Sequence, residues 1–122
     1  MEFPTMPLPM KSFAAAAALA AAISAYQSPA SAASFSCMNM EDMNAAEQTI
    51  CDSHRLGALD ERLDSWYRRA QIRAGYFDQT EWLRAGQRDW LAGRNACGYD
   101  IRCLSRAYRS RIRELKNYVE HV

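Results

Sequence analysis

The stretch Gln87-Arg88-Asp89-Trp90-Leu91-Ala92-Gly93-Arg94-Asn95-Ala96-Cys97-Gly98, followed shortly by Cys103, decides the fold. Its glutamine, tryptophan, arginine and first cysteine recur at three- and four-residue intervals, the spacing of one helix face. Gly98 breaks that spacing, and Cys103 falls in the first turn of a new helix. Two helices joined by a tight turn, with a cysteine on either side of it, read as an antiparallel pair that a disulfide can clasp.

The same period continues outward from this stretch. Upstream, Leu56, Leu59, Leu63, Trp66, Tyr67, Ala70 and Ala74 form one apolar face behind a cap at Asp52 or Ser53. Gly75 stands where a C-terminal cap is expected. Before that helix, Asn44 with Glu47 three positions on predicts the start of a short helix running to about Cys51. Asp78 with Glu81 predicts the start of the third helix, with Phe77 and Trp82 placed as a hydrophobic staple. Its stripe is Leu83, Gln87, Trp90, Leu91, Arg94 and Cys97. Downstream, Asp100 caps a fourth helix whose buried face is Ile101, Leu104, Tyr108, Ile112, Leu115 and Val119.

No proline follows Pro29, and alternating β-branched runs are nearly absent. The fold class is therefore all-α: a small four-helix bundle, or a pair of helical hairpins, stapled by two disulfides.

Residues 1–32 are read as a cleaved signal peptide, with Met10 as an alternative start of translation. Lys11 precedes an alanine-rich run from Phe13 to Ala25, which ends in Ser28-Pro29-Ala30-Ser31-Ala32, the small-x-small form of a cleavage site. That run is shorter than the roughly 20 residues of a membrane span, so no stable membrane insertion is expected after cleavage. Ser34-Phe35-Ser36 before Cys37 does not have the lipoprotein pattern. The helical domain then occupies residues 33–122. A domain this small buries only about 60–65% of its unfolded surface, so disulfides help it, and an exported location permits them.

The net charge of the whole chain is +1, and losing Lys11 and Glu2 with the leader leaves that balance unchanged. Such neutrality argues against nucleic acid or an anionic membrane as the main partner. Beyond the leader, every basic residue except Lys116 is an arginine, the cation suited to forked pairing with carboxylates.

Three polar residues interrupt the apolar faces: Asp60, Gln87 and Arg94. Buried charges need partners, so Asp60 is expected to pair with Arg94 between the second and third helices. Gln87 is expected to bond backbone or a tyrosine hydroxyl. The alternative is a general acid or base held beside an arginine.

The cysteines lie fourteen and six positions apart, Cys37 to Cys51 and Cys97 to Cys103. Neither interval is a zinc-site or redox spacing, and His54 and His121 have no partnering motif, so no metal, cofactor or catalytic residue is expected. Of the three possible connectivities, local pairing is favoured. By the chain-entropy model the longer loop contributes about 3 kcal/mol and the shorter about 2 kcal/mol.

Several of these motifs, taken in order, resemble a known family. Ser34-Phe35-Ser36-Cys37, Glu47-Gln48-Thr49-Ile50-Cys51 and Leu56-Gly57-Ala58-Leu59-Asp60, with Leu63 and Tyr67, are similar to the first half of the LprI-type lysozyme-inhibitor domain. Gln87-Arg88-Asp89-Trp90-Leu91, Arg94, Cys97-Gly98, Cys103-Leu104, Tyr108 and Arg111-Ile112 are similar to its second half. The resemblance spans about residues 34–115. It implies an exported bacterial helical domain, periplasmic or secreted, that inhibits lysozyme and so protects peptidoglycan.

The resemblance implies a protein partner, with a lysozyme as the candidate. Lysozymes carry two carboxylates beside a sugar-binding groove, which arginine or tyrosine could engage. Arg68, Arg69, Tyr76, Tyr99 and Arg102 are candidates because they fall near helix ends or turns. The alternative is an envelope adaptor that binds another protein through Trp66, Trp82 and Tyr118 without touching lysozyme. Catalysis is the least favoured reading, and the sequence leaves the oligomeric state open.

Overall fold

A computed structural model describes residues 35–121. The expected leader at residues 1–32 lies outside the described residues. After a single 3-10 turn at Met40–Asp42 come four helices: α1 (Ala45–Asp52), α2 (His54–Tyr76), α3 (Thr80–Ala96) and α4 (Ile101–Glu120). No strand occurs among the described residues, in keeping with the all-α reading.

Most helix boundaries follow from local hydrogen bonding. Asn44 and Glu47 form a complete capping box: the Glu47 amide donates to Asn44 Oδ1 at 2.9 Å, and the Asn44 amide donates to Glu47 Oε2 at 3.2 Å. Ser53 ends α1 with extended backbone and also caps α2, accepting from the Leu56 amide. The chain therefore bends there instead of continuing as one helix. Asp100 caps α4 by accepting from the amides of Arg102 and Cys103.

The α2–α3 junction differs from the sequence expectation. Helix α2 runs through Gly75 to Tyr76, and Asp78 does not cap α3. Asp78 takes the left-handed conformation, φ 54°, and the Gln79 amide donates back to the Ala74 carbonyl at 2.8 Å. That is a Schellman closure of α2, in which a short polar aspartate serves where glycine is usual. Gln79 then precedes α3 without a side-chain cap. Nor is there a Phe77–Trp82 staple in the expected sense: Arg73 lies over the Phe77 ring, and Trp82 packs on Tyr118.

The two tight turns reverse the chain twice, so α2 and α4 run parallel and α3 antiparallel to both. The broadest packing is between α2 and α4, while α1 lies across α2 and α3. The core comprises Ala46 and Ile50 of α1, Leu56, Leu59, Leu63, Ala70 and Ala74 of α2, Leu83 of α3, and Leu104, Tyr108 and Leu115 of α4. Ala70 and Ala74 let neighbouring helices approach closely; the larger side chains fill the space between. Ile101, expected in the buried face of α4, is exposed, and that face begins one turn later at Leu104. Trp90 sits at the edge of the core, donating its indole N–H to the Ala107 carbonyl at 3.0 Å.

Both disulfides are the local pairs. Cys37–Cys51 ties the N-terminal segment to the end of α1, and Cys97–Cys103 clasps the α3–α4 turn, where Gly98 adopts φ 57°.

Candidate functional site

Two groups of polar residues stand out, one buried and one exposed. The buried group joins all four helices. The Tyr108 hydroxyl of α4 donates to Asp60 Oδ1 of α2 at 2.7 Å, and Arg94 Nη1 of α3 donates to the same hydroxyl at 3.4 Å. Arg94 also donates to Asn95 Oδ1 through Nε and Nη2, and reaches Glu47 of α1 at 3.5 Å. The rings of Phe35 and Trp90 flank its guanidinium at 5.4 and 5.7 Å.

Asp60 and Tyr108 are fully buried, and Arg94 is 3% exposed, so no substrate could reach these groups without the bundle opening. Burial, and next the Asp60 carboxylate, raise the Tyr108 pKa well above the ordinary tyrosine value. The hydroxyl therefore stays protonated and remains a donor. Its position sharpens the expected Asp60–Arg94 pairing: a tyrosine hydroxyl bridges the two. Gln87 stands apart: among the described residues it accepts from Arg111 Nε at 3.1 Å, in place of the expected tyrosine or backbone partner. Arg111 also pairs with Glu114, and its guanidinium fits against Gly86, where a Cβ would come within 3.4 Å of it.

The sequence-derived contact candidates are scattered. Arg68 is paired with Asp64 one turn back, and Arg69 covers the Trp66 ring. Tyr76 is exposed at the end of α2, while Tyr99 is exposed in the α3–α4 turn beside Arg102. The length of α3 separates these two ends by about 25 Å at 1.5 Å per residue. The five residues do not form one surface.

The exposed group was not singled out by sequence reasoning. An open groove of about 720 Å³ runs between α2 and α4, lined by Arg55, Ala58, Leu59 and Arg62 on one side and Arg109, Ile112 and Arg113 on the other. Its four arginines are exposed, no acidic residue lines it, and none of the four makes an ion pair among the described residues. Ala58, Leu59 and Ile112 give it an apolar floor. The only sequence signal was arginine repeating at seven residues on α2 and four on α4, which places each pair on one helix face.

A second exposed feature lies at the far end of the bundle. Ile72, Tyr76, Phe77 and Trp82 are all more than half exposed, and Trp82 rests on the ring of Tyr118 at 5.3 Å. Tyr118 is held by donating to Gln79 Oε1. Trp66, at the middle of α2, is half-buried and does not join this cluster.

No group of three or more histidine, cysteine or acidic side chains suited to a metal ion occurs among the described residues. No helix there is long and apolar enough to cross a membrane. What the scaffold offers is a disulfide-bonded helical surface with a cationic groove.

The family model described as "Lysozyme inhibitor LprI" matches residues 37–115. The chain belongs to the LprI lysozyme-inhibitor family. The match begins at the first cysteine and ends at the last core leucine, Leu115, and so takes in both disulfides and the four-helix polar network. No curated protein and no solved structure matches the chain.

Proposed function

We infer that this protein is an exported binding protein that inhibits a lysozyme and thereby protects bacterial peptidoglycan, acting in the periplasm or outside the cell. The observation that carries the reading is the family match over residues 37–115, which takes in both disulfides. Export is supported by the two disulfides, which suit an oxidising compartment, and by the leader-like residues 1–32. Inhibition requires no chemistry of the inhibitor's own. It requires a rigid surface whose side chains are fixed before contact, because ordering them on binding would cost affinity. Two disulfides and a buried network reaching every helix supply that rigidity.

The test is a muramidase assay with the oxidised domain, residues 33–122. Inhibition at stoichiometric protein, lost when the disulfides are reduced, is the expected result. Absence of both inhibition and binding across a panel of lysozymes overturns the reading.

The exposed aromatic end favours a second reading, an envelope adaptor that holds another protein through Phe77, Trp82 and Tyr76. Trp82→Ala separates the two: an adaptor loses its partner, whereas inhibition through another surface is unaffected.

A further inference from the structure

We propose that the arginine groove between α2 and α4 is the surface that grips the lysozyme, taking up a protruding acidic segment of that enzyme. This rests on the lysozyme-inhibitor reading and adds to it a contact site and the chemistry of what fills it.

Three observations favour this occupant. First, Arg55, Arg62, Arg109 and Arg113 project from two helices around one groove and have no carboxylate partner among the described residues. Three exposed arginines elsewhere are engaged: Arg68 with Asp64, Arg88 with Glu81 and Arg69 on Trp66. Arg84, Arg102 and Arg106 are exposed without an ion pair among the described residues but do not line this groove. What sets the groove's four apart is their convergence on it. A cluster of like charges repels itself, and an incoming anion relieves that repulsion while forming forked, charge-assisted hydrogen bonds. Second, the net charge is only +1, so the groove is a local concentration of charge and not a sample of a uniformly basic surface.

Third, the floor is apolar. Ala58, Leu59 and Ile112 offer nothing to a purely ionic polymer such as a phosphate chain. They suit a peptide segment that carries an aliphatic or aromatic side chain between its carboxylates. The rows match such a segment in scale: Arg55 and Arg62 are two turns apart, about 10 Å along α2, and Arg109 and Arg113 one turn apart, about 6 Å along α4. A concave site also demands a convex partner, which points to a protruding segment of the enzyme and away from direct insertion into its cleft. Inhibition then follows from the bulk of the bundle held over the enzyme's surface.

The experiment compares the oxidised domain with two double variants of equal charge: Arg62→Gln with Arg109→Gln in the groove, and Arg84→Gln with Arg88→Gln on α3. All four positions are exposed, so unfolding temperatures should match the parent. Binding to an inhibited lysozyme is then measured by calorimetry at two salt concentrations. The expected result is at least tenfold weaker binding for the groove variant, with a shallower salt dependence, and less than twofold change for the α3 variant.

Equal binding by all three proteins overturns the groove assignment while leaving lysozyme inhibition standing. Equal weakening by both variants also overturns it, since net charge alone would then account for the loss. Failure of the parent protein to bind any lysozyme overturns the function reading and the groove's partner together. Groove-dependent binding to polyphosphate, without binding to lysozyme, would assign the arginines to an anionic polymer and overturn the proposal.

Discussion

Arg94 and the groove arginines are the same residue type in opposite circumstances. Arg94 is 3% exposed, and its guanidinium is taken up by Asn95, the Tyr108 hydroxyl and Glu47. Arg55, Arg62, Arg109 and Arg113 are exposed around a groove that no acidic side chain lines among the described residues. Charge that is buried and fully bonded serves the fold, because removing it strands its partners. Charge that is exposed and unbonded contributes little to stability and is available to another molecule. The two sets should therefore respond oppositely when stability and binding are measured side by side.

The largest effect on stability is expected from Arg94→Met. It leaves the buried end of the network without its cation and should cost about 3–5 kcal/mol. Urea unfolding that gives a midpoint equal to the parent's would show that the buried arginine is dispensable and dissolve the comparison.

Next in size is the N-terminal clasp. Replacing Cys37 and Cys51 with serine should cost about 3 kcal/mol, and replacing Cys97 and Cys103 about 2 kcal/mol, in the order of their loop lengths. Thermal unfolding of the two variants under identical conditions checks the order.

Tyr108→Phe keeps the ring and its edge contact with Trp90 but removes the hydroxyl that joins Asp60 to Arg94. A loss of about 1–3 kcal/mol is expected. The same hydroxyl gives a pH signature. Its pKa is raised in the folded protein, so the folded state keeps a proton that the unfolded chain loses near pH 10. That contribution is complete below about pH 10 and declines as pH rises past it. Unfolding free energies measured from pH 8 to 11 should fall more steeply for the parent than for Tyr108→Phe. Parallel curves would count against the buried donor.

The smallest stability effect is expected in the groove. Arg62→Gln with Arg109→Gln should change unfolding free energy by no more than about 0.5 kcal/mol, as is usual for exposed positions. A loss comparable with that of Arg94→Met would mean that the groove arginines hold the helices together, and the contrast between the two sets would vanish.

Much of the scaffold was legible because its signals are local. Capping at Asn44, Ser53 and Asp100 depends on hydrogen bonds two to three residues away, and Cys97–Cys103 spans a single turn. The α2–α3 junction was misread because Asp78 fits two local roles. Aspartate is a good N-cap and also one of the few residues that tolerates a left-handed backbone. The Gln79–Ala74 hydrogen bond decided between them.

By itself, the sequence determined four helices, most of their buried faces and the local spacing that favours the two disulfide clasps, since periodicity and capping act on residues near in the chain. It also showed that Asp60 and Arg94 need partners, since a charge on a buried face must be paired. Only the tertiary structure decided that Tyr108, forty-eight positions from Asp60, bridges that pair. It alone also set Arg55 and Arg62 across from Arg109 and Arg113. Charge and spacing look alike for every arginine on a helix; which of them meet, and which keep their hydrogen-bonding capacity for a partner, depends on how helices distant in sequence pack.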